Sequence, residues 1–204
     1  MKPSKLLFVT GLAFISLFIV FASSCKTVPE PEKPQIIISR RLLARGQLTA
    51  EQLADFFIQE NNLKPYDEIY DFACLYIDEA EAEGINSDIA FAQMCLETGF
   101  LRFGGLVQPE WHNYCGLGAI SPEEPGCIFE TEQLGVRAHI QHIQAYATTE
   151  DVPLNNELVD PRYSWVHKTK LAFTVGDLAR SWAADPDYAT KFDNLLTRME
   201  KSIR

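Results

Sequence analysis

One glutamate stands out as a residue that could do chemistry. Glu97 lies in AFAQMCLETGFLRFGG, residues 90–105, in the last turn of a predicted apolar helix and close to Phe100 and Phe103. The negative end of the helix dipole and the apolar neighbours both disfavour an ionised carboxylate, so both raise the pKa of Glu97. A carboxylic acid that stays protonated near neutral pH is what hydrolysis of a glycosidic bond requires. A structural ion pair with Arg102 is the alternative interpretation of the same residue.

The cysteines and histidines give weaker signals. Four cysteines follow residue 25: Cys74, Cys95, Cys115 and Cys127. Four cysteines allow three disulfide pairings, and a bridge between the last two would close the loop that contains them. His139 and His142 lie three residues apart on a predicted helix, without the glutamate of a metalloprotease motif, and are interpreted as a partly exposed helix face. No metal site and no other cofactor is therefore predicted.

The beginning of the chain carries signals for export. A basic MKPSK precedes an apolar run, and ASSC then ends at Cys25. Because small residues leading into a cysteine resemble the bacterial lipoprotein processing site, we interpret residues 1–24 as a signal peptide and Cys25 as lipidated. An uncleaved membrane anchor is the alternative. Residues 25–36 contain three closely spaced prolines, which favour an extended spacer, so the expected folded domain comprises residues 37–204.

The charge of the chain limits its partners. The formal net charge is −10 at pH 7, and the leader contributes Lys2 and Lys5 without any acid. An acidic surface argues against nucleic acid and against direct adsorption to anionic lipid. We therefore expect an exported monomer that is held at a cell-envelope membrane only through the lipid on Cys25.

Helical signals dominate the expected domain. Thr49 and Gln52 form a capping-box pattern at the start of the first helix. Gly84 is suited to end the second helix, and Ser87 to cap the third, which carries Glu97.

Two further segments complete this expectation. LGVRAHIQHIQAYA has helical spacing, and a last helix is predicted to start at Asp185 and Pro186. Residues 111–129 are rich in glycine, proline and serine without a helical period, so they are predicted to form an ordered loop lobe. The predicted fold is mainly α, with a cleft built partly from this lobe.

Several motifs in a fixed order resemble one family. DIAFAQMCLETGFLRFGG is followed by HNYCGLGA, LGVRAHIQHIQAYA, VDPRY and SWAADPDYATKF, and the likeness extends back to LLARGQLTAEQLADFF. The series resembles the bacterial glucosaminidase domain, glycoside hydrolase family 73, also named after mannosyl-glycoprotein endo-β-N-acetylglucosaminidase. The resemblance implies a lysozyme-like helical domain with a small loop or β lobe that forms a glycan cleft. It also implies cleavage of the β-1,4 bond after N-acetylglucosamine in peptidoglycan, with Glu97 as the catalytic acid.

The resemblance also suggests which residues contact substrate. They are Asn113, Tyr114, Gly116, Trp182, Tyr188 and Phe103. The first three belong to NYCGLG, which resembles the Asn-x-x-Gly loop of the family: the asparagine would bond a sugar, the tyrosine would stack on one, and the glycine permits close backbone approach. The remaining aromatic residues would form cleft walls, because aromatic faces suit pyranose rings. Core packing is the alternative for Tyr188.

The resemblance leaves the second catalytic group open. Glu123, within SPEEPG, lies where some members carry a glutamate and is our candidate, whereas the N-acetyl group of the substrate is the alternative. Asp160 and Arg162 of VDPRY are interpreted as an ion pair or a turn device. A lytic transglycosylase or muramidase, and a non-catalytic peptidoglycan-binding lipoprotein, are the competing functions.

Overall fold

The structure is a computed structural model that describes residues 36–149 and 151–203. The predicted signal peptide, the lipidation at Cys25 and nearly all of the spacer lie outside the described residues. The helices within these ranges are α1 (Ala50–Glu60), α2 (Tyr66–Glu83), α3 (Ser87–Thr98), α4 (Glu132–Ala147), α5 (Tyr163–Thr169), α6 (Val175–Trp182) and α7 (Tyr188–Ser202). The described ranges thus confirm a mainly helical domain, and none of their helices is both long and apolar enough to span a membrane.

The caps of the first helices follow from local sequence. The Thr49 side chain accepts from the Gln52 backbone and the Gln52 side chain accepts in return, so the predicted capping box is confirmed. α2 ends at Gly84 in the left-handed region, at φ 70°, where glycine is favoured. The prediction that Ser87 caps α3 is wrong. The cap is Asn86, whose side chain accepts from the backbone of Asp88.

α3 lies at the centre of the domain. Apolar residues all around it are buried, including Ile89, Phe91 and Met94, and such a helix needs neighbours on every side. It packs against α1, α2, α4 and α7. The ring of Phe91 meets Phe57 from α1 and Tyr76 from α2 edge to face. The catalytic candidate Glu97 is therefore carried by a buried helix that packs against four others.

The last third of the chain departs most from the sequence prediction. α5 and α6 are absent from the sequence prediction, although Thr174 and Asp177 form a capping box at the start of α6 that the sequence could have indicated. α7 begins at Tyr188 rather than at Asp185, because the Asp185 side chain accepts from the Asp187 backbone and pairs with Lys191 at 2.6 Å. These contacts make residues 185–187 a turn in front of the helix.

Residues 111–129 form a loop lobe without an α-helix, as predicted. It contains only an isolated bridge between Ser121 and Glu124 among the described residues, in place of a full hairpin. α4 approaches the lobe closely at Gly135. A Cβ atom at this position would lie 1.8 Å from the carbonyl oxygen of His112, so only glycine fits.

Candidate active site

The end of α3 presents Glu97 to a cavity of about 320 Å³, which we call the acid cavity. Its other walls are residues 103–107, parts of the loop at 113–119, and Trp182 with Ala183. The Glu97 side chain is exposed to this cavity, but protein surrounds it on the remaining sides. Desolvation raises the pKa of Glu97, and hydrogen bonds from Tyr188 and Trp182 offset part of that rise. The direction agrees with the expectation from the sequence, while the alternative pair with Arg102 does not form, because that guanidinium bonds the carbonyl oxygens of Gly99 and Glu60.

Two donors fix one oxygen of this carboxyl group. The Tyr188 hydroxyl donates to Oε1 of Glu97 at 2.5 Å, and Nε1–H of Trp182 donates to the same oxygen at 2.9 Å. Both partners donate, so Oε1 has no lone pair left for a proton of its own. Oε2 has no hydrogen-bond partner among the described residues. When Glu97 is protonated, its proton is therefore carried by Oε2.

A buried chain of hydrogen bonds leads to Tyr188. The side-chain amide of Gln93 donates to the Tyr188 hydroxyl at 3.0 Å, and its oxygen lies 3.2 Å from Nε2 of His139. Burial lowers the pKa of His139 to about 3, so its ring is neutral and carries its proton on Nε2. Nδ1 then accepts from the Tyr76 hydroxyl at 2.9 Å. In each of these hydrogen bonds the acceptor is the group nearer to Glu97.

The histidines were misplaced by sequence reasoning. His139 is fully buried and His142 nearly so, whereas the sequence suggested a partly exposed face. His142 pairs through Nδ1 with Asp160 at 2.8 Å. One signal was available: His139 lies three residues after Val136 and four before Ile143, within the apolar stripe of α4.

A strained backbone segment builds the wall next to Glu97. Phe100, Leu101 and Phe103 all have φ between 47° and 57°, a region that costs free energy for residues other than glycine. Hydrogen bonds hold it: Thr98 Oγ1 accepts from the Leu101 backbone, and Asn61 donates to the carbonyl of Phe100. The Phe100 ring also packs against Phe56 and Phe57. As a result Phe103 lines the acid cavity, as predicted for a wall residue.

The opposite wall is the NYCGLG loop, and Asn113 holds it together. Its amide donates to the carbonyl oxygens of Leu117 and Cys127, and its oxygen accepts from the Leu117 backbone at 2.8 Å. Gly116 has φ 65° and lines the acid cavity, and its close approach to a sugar stays a prediction. The predicted sugar contact through Asn113 needs correction, because this buried side chain is fully used by the loop itself.

Two predicted stacking residues do not present their rings to the cavity. Tyr114 is buried, and its ring meets Phe72 at a centroid distance of 4.8 Å in the core. Tyr188 is also buried, with its ring against Phe192, so the alternative of core packing holds and only its hydroxyl reaches the site. Trp182 is half-buried and lines the cavity, but its indole N–H points at Glu97. Aromatic periodicity alone could not separate these orientations.

The predicted second carboxylate is not brought to the acid cavity. Glu123 lies in an exposed turn, where its side chain accepts from the hydroxyl of Ser121 at 2.9 Å. This bond lowers the pKa of Glu123. Glu97 is the sole carboxyl group among the described residues that line the acid cavity.

The cysteines of the lobe are not bridged in the structure. Cys115 and Cys127 are free thiols in a small apolar cluster that also contains Leu117, Phe129 and Ala138. Asn113, rather than a disulfide, braces this loop. Within the ranges described, no group of three His, Cys, Asp or Glu side chains is arranged to hold a metal ion.

A larger cavity offers less chemistry. It has a volume of about 480 Å³ and lies between residues 44–48 and the ends of α2 and α3. Its charged lining residues, Arg45 and Glu81, pair with each other at 3.3 Å. The acid cavity is therefore the better candidate, since it combines a carboxyl group of raised pKa with aromatic walls in a volume suited to a small ligand.

Comparison with known proteins agrees with the motifs. The sequence profile of the family described as mannosyl-glycoprotein endo-beta-N-acetylglucosaminidase matches residues 73–201. An uncharacterized protein from Borreliella burgdorferi is 39% identical over 158 residues, which cover 78% of this chain and 76% of the relative. No solved structure matches the chain. The matched range contains Glu97, Trp182 and Tyr188, and the chain belongs to the glucosaminidase family.

Proposed function

We propose that this protein is a peptidoglycan hydrolase, an endo-β-N-acetylglucosaminidase that uses Glu97 as its general acid. The observation that carries the proposal is the geometry of this one carboxyl group. Tyr188 and Trp182 occupy Oε1, the protonated Oε2 is left for a ligand in the acid cavity, and burial raises the pKa. Membership of the glucosaminidase family supports the choice of substrate.

The proton transfer follows from this arrangement. Oε2 gives its proton to the glycosidic oxygen that leaves, while the bond between that oxygen and the anomeric carbon breaks. The carboxylate that results is stabilised by the two donors on Oε1, whose hydrogen bonds favour the ionised form. Burial thus keeps the proton on Glu97 before the reaction, and Tyr188 and Trp182 lower the cost of losing it.

The group opposite the acid comes from the substrate in this proposal. The described lining of the acid cavity supplies Glu97 but not a second carboxylate at its side. Substrate-assisted hydrolases use the N-acetyl carbonyl oxygen of the sugar in place of a protein nucleophile, and this oxygen attacks the anomeric carbon from the face opposite the leaving oxygen. Water then attacks the anomeric carbon and opens the cyclic intermediate, and the Glu97 carboxylate takes up the proton that this water loses.

Digestion of purified peptidoglycan tests the proposal. Mass spectrometry of the products should find N-acetylglucosamine at the new reducing ends. Anhydromuramic acid ends would instead identify a lytic transglycosylase, and muramic acid ends a muramidase. Retention of the protein on intact glycan without any cleavage would identify a non-catalytic binding protein. A Glu97→Gln sample in parallel shows whether any activity found belongs to this site.

We also propose that the protein is exported and held at a cell-envelope membrane by a lipid on Cys25. The support is the basic start, the apolar run and the ASSC sequence. Metabolic labelling with a fatty acid should mark the wild-type chain, while Cys25→Ser should lose both the label and the processing of the leader. Equal labelling and processing of the two chains would overturn this proposal.

A further inference from the structure

A second cavity lies beside the acid cavity and is lined by basic residues; we call it the cationic cavity. Its volume is about 220 Å³. Both cavities share Cys115, Gly116, Ala119 and Trp182 in their linings. A ligand that sits at Glu97 therefore needs only to pass these shared residues to reach the cationic cavity.

An exposed tryptophan organises the charges of the cationic cavity. Trp165, on α5, is 52% exposed. The guanidinium carbon of Arg162 lies 5.2 Å from the centre of its ring, and Nζ of Lys170 lies 5.8 Å from it. Cation–π contacts of this kind orient a positive charge without neutralising it. The site thus holds two positive groups close together at one exposed surface.

These charges differ from most of the other basic groups that the structure describes. Most of those lie in ion pairs with acidic side chains: Arg40, Arg45, Lys64, Arg137, Arg180, Lys191 and Arg198. Among the described residues, neither Arg162 nor Lys170 has such a partner within 4.0 Å. Two unpaired cations in one cavity are unexpected in a chain of net charge −10, because an acidic surface should neutralise them.

The carboxylate of Asp160, two residues before Arg162, already has hydrogen-bond partners on both oxygens. Asp160 is buried, and its Oδ2 pairs with Nδ1 of His142 at 2.8 Å. Its Oδ1 accepts from the backbone N–H of Arg162 at 2.8 Å, which confirms the predicted turn device but leaves the guanidinium unbound. Lys168, exposed on the same helix, adds further positive charge. The cationic cavity is therefore suited to an anion brought by a ligand.

We propose that the cationic cavity binds a carboxylate of the substrate, carried by the peptide stem or by the lactyl group of a muramic acid residue. The inference rests on the proposed function, because it places a peptidoglycan strand in the acid cavity. The sugar rings of that strand are uncharged at Glu97, whereas its side groups carry carboxylates. Arginine and lysine donors match a carboxylate, and the Trp165 face offers apolar contact to the chain that bears it.

Binding measurements on the full chain test this inference without relying on turnover. All proteins carry Glu97→Gln so that no probe is cleaved. The test variant adds Arg162→Gln with Lys170→Gln, and the matched control adds Arg41→Gln with Lys201→Gln, which removes two exposed charges elsewhere. The probes are a soluble stem-bearing glycan fragment, the same fragment after an amidase has removed its stems, and neutral chitotetraose.

The test variant should lose about tenfold in affinity, or about 1.4 kcal/mol, for a probe that carries the recognised carboxylate. A loss confined to the stem-bearing fragment assigns the site to a stem carboxylate, because the lactyl carboxyl is an uncharged amide in that fragment. A loss confined to the amidase-treated fragment assigns it to the lactyl carboxylate that the amidase frees, and a loss on both shows that carboxylates of both sources bind. The control pair should bind every probe as the parent does. The charge-conserving pair Arg162→Lys with Lys170→Arg should keep most of the affinity, which excludes misfolding as the cause.

Three results would overturn the inference. They are an equal loss on chitotetraose, unchanged affinity of the test variant for both fragments, and an equal loss in the control pair. The two proposals fail separately. Wild-type cleavage of peptidoglycan together with unchanged binding by the test variant rejects only the cationic cavity. Charge-dependent binding by a wild-type chain that never cleaves rejects only the proposed hydrolase.

Discussion

The two walls of the acid cavity use their polar groups in different ways. On the helical side, a chain of hydrogen bonds runs from Tyr76 through His139 and Gln93 to Tyr188 and ends at Oε1 of Glu97. Oε2 of Glu97 is left without a hydrogen-bond partner among the described residues. On the lobe side, the buried side-chain amide of Asn113 makes its hydrogen bonds to the loop backbone. The helical wall therefore prepares a reactive group and the lobe provides a shape. Mutations on the two walls should produce different defects.

The largest effect is expected from Glu97→Gln. General acids contribute on the order of 10²–10⁴-fold to rate, so glycan cleavage should fall by at least that factor. The fold should survive, because the amide oxygen can keep both hydrogen bonds on Oε1 and the NH₂ group takes the place of the protonated Oε2. Burial raises the pKa of Glu97 above its value in the unfolded chain. At a pH above that unfolded value, this shift lowers the free energy of unfolding, and the neutral amide removes the loss.

A melting curve and a cleavage assay on the same Glu97→Gln sample check this prediction. Glu130→Gln, at an exposed residue outside the acid cavity, is the matched control and should behave as wild type. An active but destabilised Glu97→Gln protein would mean that the glutamate serves the fold, and the comparison of the two walls would lose its basis.

Asn113→Ala should show the defect of the lobe wall, which is lost stability. It leaves the carbonyl oxygen of Cys127 and the backbone N–H of Leu117 without their partner, at a cost of about 2–3 kcal/mol, whereas the carbonyl oxygen of Leu117 keeps the backbone N–H of Cys127. For a domain of this size each kcal/mol lowers Tm by roughly 2–4 °C. Thermal unfolding measures the change, with exposed Asn62→Ala as control.

An unchanged Tm with weakened glycan binding in Asn113→Ala would reverse the conclusion for this residue. It would restore the contact between Asn113 and a sugar that the family motif suggests. The lobe wall would then take part in recognition as well as in shape.

Tyr188→Phe should slow cleavage about tenfold and change its pH dependence. The hydroxyl of Tyr188 lowers the pKa of Glu97, so its removal lets that pKa rise further. A general acid works while protonated, and activity is lost as pH rises through its pKa. The alkaline limb of the profile of kcat/KM should therefore move to higher pH.

Tyr163→Phe is the matched control for Tyr188→Phe. Tyr163 is also buried, and its hydroxyl also bonds a glutamine, Gln144, but it does not line the acid cavity. It should lose stability without any shift of the alkaline limb. Equal pH profiles of the two variants would show that Tyr188 has only a structural role.

The sequence could predict what depends on neighbours along the chain. Glu97 in the last turn of α3 and the stop at Gly99 follow from local spacing and cap chemistry. The contacts of Tyr188 and His139 join helices that are far apart in sequence. Periodicity placed Tyr188 on an apolar face, the sequence analysis assigned His139 to a partly exposed one, and neither revealed the polar bonds that these residues make. The prediction that Tyr114 stacks on a sugar was wrong because the motif does not determine which way the ring points.

The smallest effect is expected from Glu123→Gln, and it tests whether the lobe supplies any chemistry. The structure places Glu123 in an exposed turn bound to Ser121, away from the acid cavity lining. Cleavage should therefore stay within about twofold of wild type, since surface substitutions away from special features change little. Neighbouring Glu124→Gln, also exposed, is the control. A loss of a hundredfold in Glu123→Gln alone would show that the turn closes over the glycan and delivers a second carboxylate, so the lobe would be catalytic and the substrate's N-acetyl group would no longer be needed as the nucleophile.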